Sequence, residues 1–188
     1  MKTVFESDLL SLPEFSELLR RLLRERVSIR DLKLILEGVV EFSAVGSDIE
    51  NRQEWLSELH SFLRVVLARS IVNAAKGPGD RLRTFVLSNE IEEEFRSAVS
   101  MWDQSRAKPP LDPEFELELR DKAEKIFNPV LDRGVVPIVV LCPSEIRSAV
   151  HDYFGRQLGA SDWLRTIAYQ ELDGQARPES IGVLTLSG

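Results

Sequence analysis

Hydrophobic residues change their spacing at Lys76-Gly77-Pro78-Gly79-Asp80, a stretch through which no helix continues. Before it, every apolar run has helical period. Pro13 suits a first helical position, and Phe15, Leu18, Leu19, Leu22 and Leu23 recur three and four residues apart. Ser28 restarts the pattern as a hydroxyl cap three residues ahead of the Asp31 carboxylate, close to a capping box. Leu32, Ile35, Leu36, Val39, Val40 and Phe42 then form an apolar face wider than a surface helix needs, which predicts a helix central to a small bundle. A third helix carries Trp55, Leu56, Leu59, Phe62, Leu63, Val66, Leu67 and Ile71.

Beyond the break, strand and helix signals alternate. Leu82–Leu87 is rich in β-branched and aromatic residues and reads as a strand. Ser88 or Asn89 caps an acidic helix, Lys108-Pro109-Pro110 is a stiff connection, and Asp112-Pro113 opens the next helix. Val135–Leu141 is a near-continuous apolar run, as expected of a strand covered on both faces. Pro143-Ser144-Glu145 starts a further helix, and Thr166–Tyr169 and Ile181–Leu186 are the last strands. The fold class that follows is α+β. A small helical bundle over residues 1–77 precedes an α/β subdomain over 78–188, with a mixed sheet of about four strands.

Charge and residue counts remove several kinds of function. Twenty-four basic residues stand against 31 acidic ones, a formal charge of −7, and an acidic surface repels nucleic-acid phosphates. Cys142 is the single cysteine, which excludes an internal disulfide and a multi-cysteine zinc site. Only His60 and His151 are available to a histidine metal centre, so no cofactor is expected. The most apolar stretch, Val135–Cys142, is far short of the roughly 20 residues of a membrane span. Residues 1–8 lack the basic flank and apolar block of a signal peptide, which reads as a soluble, cytosolic style of chain.

Few residues suggest chemistry. Cys142 closes an apolar strand and reads as a buried small hydrophobe rather than a thiolate paired with His151. His60 reads as a helix-surface residue. The acidic runs Glu90–Glu94 and Glu114–Asp121 read as solvated helix faces or as a dock for a basic partner. Arg20, Arg21, Arg24, Arg26, Arg30 and Lys33 form the one cationic cluster. Residues 13–43 mimic a helix-turn-helix, so the alternative to a protein-interaction module is a DNA-binding regulator with an α/β sensor domain. Glu14, Glu17, Glu25 and Asp31 lie among those cations and favour pairing within the bundle.

Three segments together resemble one family. Leu22-Leu23-Arg24-Glu25-Arg26-Val27-Ser28-Ile29-Arg30-Asp31-Leu32, continued by Ile35-Leu36-Glu37-Gly38, resembles the signature of the type III secretion export-gate family, the flagellar/Hr/invasion protein export pore. Pro137–Arg147 resembles that family's "PVLLxSPxLR". Tyr169-Gln170-Glu171-Leu172 resembles "YNEI", with Gln170 in place of the usual Asn, and Ser180-Ile181-Gly182-Val183 resembles "xxIGxV". The resemblance implies the last two subdomains of the cytoplasmic half of a non-enzymatic membrane protein, on the cytoplasmic face of the bacterial inner membrane. It further implies a homo-oligomer, a nonameric ring in the full-length setting. The implied partners are export chaperone–substrate complexes, a gatekeeper and the stalk protein of the ATPase, with no nucleic acid. Arg26, with Arg30 and Asp31 at the start of the central helix, and Tyr169, Glu171 and Leu172 in the loop after a strand, are the candidates for protein contact; the alternatives are an intramolecular pair joining two helices for Arg30 and Asp31, and domain packing for the loop residues.

Overall fold

A computed structural model describes residues 9–46, 48–77, 79–101, 110–160, 162–172 and 177–186. Pro78, the Lys108-Pro109 connection and residues 1–8 lie outside the described residues. The chain divides into two compact units, Met1–Ile71 and Val72–Gly188. The division falls a few residues before the Gly77 boundary read from the sequence, within a helix that the apolar spacing alone does not interrupt.

The first unit is built from α1 (Leu12–Arg24), α2 (Leu32–Val45) and α3 (Arg52–Val66), followed by the start of α4 (Ala68–Ala75). The single third helix expected from periodicity is thus two, broken at Leu67. Ser11 and Glu14 cap α1 reciprocally. The cap of α2 is Asp31 rather than Ser28. The Asp31 carboxylate accepts the N–H of Leu34 at 3.0 Å, the stronger charge-assisted arrangement at a positive helix end. Leu18, Leu22, Ile35, Val39, Leu59 and Leu63 are buried, and Phe42 packs on Trp55 and Phe62 with ring centroids 5.3 and 5.4 Å apart. Gly38 sets how closely α2 and α3 approach: a methyl group there would lie 2.6 Å from Leu63 Cδ2.

The entry to this unit is pinned by a fork. Arg52 donates from Nε to Glu14 Oε1 at 2.7 Å and from Nη2 to Glu14 Oε2 at 3.0 Å. The same Nη2 reaches the Leu9 carbonyl at 2.8 Å, and the guanidinium lies 4.6 Å over the Trp55 ring. The Arg52 hydrogen bonds, helped by those from Ser11, hold the Glu14 carboxyl at about 2, below the usual 4.5.

The second unit is a four-stranded sheet with three helices. Its elements are β1 (Leu82–Leu87), α5 (Asn89–Ser100), α6 (Pro113–Leu131), β2 (Ile138–Cys142), α7 (Ser144–Gln157), β3 (Leu164–Ala168) and β4 (Pro178–Leu184). The order is β3-β2-β1-β4, and every pairing is parallel. The sheet is therefore parallel throughout rather than mixed. A parallel neighbour needs a crossover, and α5–α6 and α7 supply two of them. All five residues of β2 are buried, as its apolar run predicts. Phe85, Leu87, Ile138, Val140 and Cys142 share a core with Ile91, Phe95, Leu119, Phe127, Val150 and Phe154 from the helices. Phe127 lies at its centre, with ring centroids 5.2 Å from Phe85 and 5.7 Å from Phe154.

β4 is seven residues long and starts three residues earlier than the spacing suggested. Its pairing with β1 shifts register between Thr84 and Phe85, leaving Ile181 as the extra residue of a bulge. Gly182 sits against Phe85: an added Cβ would stand 2.7 Å from Cε1. Pro178 and the bulge blunt this edge of the sheet.

Two outcomes test this packing. Gly182→Ala is expected to destabilise by about 1–3 kcal/mol, because Phe85 is locked in the core and cannot yield. Gly38→Ala costs less, since about 1 kcal/mol of helix propensity offsets its clash; urea unfolding ranks the two. Glu14→Gln loses stability at neutral pH by about 1 kcal/mol, a value discounted for solvent exposure. A depressed carboxyl stabilises above its unfolded value, so the difference shrinks from pH 4.5 downward and is gone near pH 2. Melting of both proteins across that range checks it.

Candidate functional site

The C-terminal edge of a parallel sheet is where α/β folds place their ligands, because the strands end there and the loops are free to vary. Here that edge is filled by the chain's own polar groups. β2 runs into Pro143 and the start of α7, while β3 runs into a short 3-10 turn, Tyr169–Glu171. Arg96 of α5 reaches Glu145 at 3.1 Å, Glu93 at 2.6 Å and Glu92 at 3.3 Å. The Tyr169 hydroxyl bonds to Glu92, and burial followed by the Glu92 charge pushes the phenol up. Burial also pushes the Glu92 carboxyl up, against the pull of Arg96 and with the push of Glu145. Between β1 and β4, where the strand order turns back, the Ser88 N–H donates to the Leu184 carbonyl at 2.9 Å.

Beneath this layer lies a buried ion pair. Arg147 Nε stands 3.5 Å from Glu171 Oε1, and both side chains are 3% exposed. The second oxygen of Glu171 accepts the Ala168 N–H at 3.3 Å. Thus the arginine of the Pro137–Arg147 motif meets the glutamate of the Tyr169–Leu172 motif across the end of the sheet. Glu171 therefore presents no surface to a partner; its carboxylate ties the turn after β3 to α7. Tyr169, 41% exposed, stays open, and Leu172 is half-buried.

The signature residues of the first unit divide the same way. Glu25 takes Arg64 Nη1 at 2.9 Å and lies 3.3 Å from His60 Nε2. His60 and Arg64 are 5% and 1% exposed, so His60 is a core residue and not the surface histidine that its helix position suggested. Arg26 adopts a positive φ of 59° where the chain leaves α1, and both it and Arg30 are exposed. Asp31 is exposed but is committed to its cap. Arg26, Arg30 and Asp31 share one turn of the first unit, whereas Tyr169, Glu171 and Leu172 share the sheet edge of the second. Arg64 and Arg147 were invisible to periodicity. Arg147 carried one signal: a cation on the same helical stripe as Ile146, Val150 and Phe154.

Cys142 is fully buried, and His151 Nδ1 faces Thr166 Oγ1 at 3.4 Å. Among the described residues no group of three His, Cys, Asp or Glu side chains is placed to hold a metal. The helix-turn-helix alternative is not supported: α2, which would read DNA, buries Ile35, Val39 and Phe42, and Arg20, Arg21 and Arg24 all lie around Glu17. No described helix is long and apolar enough to cross a membrane.

The sequence profile of the FHIPEP family matches residues 2–177. Protein hrpC2 of Xanthomonas euvesicatoria is 26% identical over 167 residues, covering 89% of this chain and 24% of that protein. The chain thus spans about a quarter of the length of this relative. The nonameric EPEC SctV-C structure superposes with a TM-score of 0.73 at 23% identity, over 94% of this chain and 49% of that one. The Chlamydia pneumoniae CdsV and CdsO protein complex matches with a TM-score of 0.73 at 22% identity, over 98% and 53%.

The ion pair yields one expectation. Arg147→Ala leaves the Glu171 charge buried without its cation and destabilises by about 3–5 kcal/mol, whereas Arg147→Met with Glu171→Leu is close to neutral. Thermal or urea unfolding of the single and double variants checks it.

Proposed function

We propose that this chain, which belongs to the FHIPEP family, is a non-enzymatic docking part of a type III secretion export gate. The observation that carries the reading is the use to which its motif residues are put. Glu25, Asp31, Gly38, Arg147, Glu171 and Gly182 are consumed in buried pairs, a cap and close packing. None of them forms a nucleophile with a positioned base, which acyl or phosphoryl chemistry would need. The motifs build a scaffold, and what the scaffold offers outward is charge and isolated apolar groups. That is the make-up of a surface for transient protein contacts.

On this reading the chain works beneath the export channel, on the cytoplasmic face of the bacterial inner membrane. It works as part of a ring of copies like the nonamer for which its structural neighbour is named. Export chaperone–substrate complexes, a gatekeeper and the stalk protein of the ATPase are its proposed partners. CdsO, which is complexed with the neighbour CdsV, is a precedent for a protein partner on this fold. Arg26 and Arg30 in the first unit, and Tyr169 with Leu172 at the sheet edge of the second, are the proposed contact residues. Glu171 and Asp31 support them from inside and at the helix cap.

Export measured in the organism that makes the protein tests this. Arg30→Glu and Tyr169→Ala are expected to lower secretion of exported proteins several-fold at unchanged protein level and melting temperature. Full secretion by both variants, or by a strain lacking the coding segment, would sink the reading.

A further inference from the structure

Glu92 is a buried carboxylate for which the fold has little use. The acidic run Glu90–Glu94 reads in the sequence as a solvated helix face, yet Glu92 is buried with Ile91, Phe95 and Ala98 on one side of α5. Its neighbours in the cluster stay in water, the Glu93 side chain at 68% exposure and that of Glu145 at 51%. Glu92 caps no helix. Its ion-pair partner, Arg96, lies one turn along the same helix, so the pair ties no second element down. Nor does Arg96 depend on it, since its Nη1 reaches Glu93 at 2.6 Å and its Nε reaches Glu145 at 3.1 Å. Burial raises the Glu92 carboxyl, and an acid raised by folding takes stability from the fold once it is ionised. An apolar side chain would fill the same place without that cost.

What the carboxylate does reach is the Tyr169 hydroxyl, on another element. The turn that carries Tyr169 is held from its far side, where Glu171 pairs with Arg147 at 3.5 Å and accepts the Ala168 N–H. Those bonds fix the backbone of the turn but leave the direction of an aromatic ring that is 41% exposed. A ring with no second tether is free to change rotamer, and ordering it on binding loses entropy. The bond to Glu92 supplies that tether before a partner arrives.

We infer that Glu92 is a positioning residue for partner contact: its carboxylate takes the Tyr169 hydroxyl and holds the exposed ring in the direction a partner protein meets. Arg96, gripped by Glu93 and Glu145, steadies Glu92 in turn. The fold thus keeps a destabilising carboxylate because it prepares the surface. This deepens the export-gate reading and rests on it for the assignment of Tyr169 as a contact.

Spectroscopy and secretion together test it. The chain has two tyrosines. Tyr153, whose hydroxyl donates to the Glu116 carbonyl at 2.6 Å, is an internal reference for Tyr169 in carbon-13 tyrosine spectra of the full chain. In Glu92→Leu the Tyr169 ring signals are expected to move to those of a freely rotating tyrosine while Tyr153 stays in place. The variant melts at the wild-type temperature or higher. Glu92→Leu and Tyr169→Phe each lower secretion several-fold in the organism that makes the protein, and Glu92→Gln, which keeps an acceptor, recovers most of it. Combined, the Leu and Phe changes lower secretion no further than either does alone, as expected of two groups acting through one bond. Unmoved Tyr169 signals, full secretion by Glu92→Leu or Tyr169→Phe, or losses that multiply in the double variant would overturn the inference. Should Glu92→Leu fail to fold, Tyr169→Phe decides by itself. Full secretion by Tyr169→Ala removes the contact and the inference together, whereas a deficient Tyr169→Ala beside a normal Glu92→Leu removes only the positioning role.

Discussion

A strand buried on both faces governs the second unit. Val139 and Val140 point to opposite sides of the sheet and neither has contact with water. Such a strand cannot lie at an edge, so β2 needs neighbours on either side, and β3 and β1 supply them. Parallel pairing then demands crossovers long enough to return the chain, and helices α5, α6 and α7 close the core over Phe85, Val140 and Phe127. With the crossovers in place, the carboxyl ends of β1, β2 and β3 converge. This is why Glu92, Glu145 and Tyr169, from three distant parts of the chain, come within reach of one another.

Buried charge plays a different part from buried hydrocarbon here. Glu25 with Arg64, and Arg147 with Glu171, gain little net stability over apolar residues of the same shape, because desolvation cancels most of the attraction. What they impose is uniqueness. A carboxylate buried beside one guanidinium tolerates no slip of α1 against α3, or of the turn after β3 against α7. On the proposed reading, that rigidity suits a scaffold that presents its open charges in fixed positions. It also separates the motif residues into those that hold shape and those, such as Arg30 and Tyr169, that face water.

Much of the fold was legible because it rests on local rules. Asp112 and Pro113 open α6 where a cap and a proline predict, and the apolar run ending in Cys142 is a fully buried strand. Strand direction was not legible, since a run such as Ile138–Cys142 reads the same beside a parallel or an antiparallel neighbour. The cap of α2 was misplaced because serine and aspartate both qualify, and only backbone geometry decides between Ser28 and Asp31. Glu171, in the loop after a strand, was open to partner contact or to packing within the fold, and burial decides for packing. Its partner lies 24 residues earlier in the chain, a separation at which no spacing rule operates.

The amino-acid sequence by itself determined the helical period before residue 77, the alternation after it and the absence of cysteine and histidine clusters. These are properties of neighbouring residues, for which side-chain chemistry and spacing are sufficient. Only the tertiary structure decided that Arg147 neutralises Glu171, that His60 is buried, and that Gly182 makes room for Phe85. It decided too that Leu32 and Val40, on one flank of α2, remain in water. Each of these depends on which surfaces the chain brings together over long separations, and burial, not residue type, sets whether a charge or a methyl group holds the fold or meets a partner.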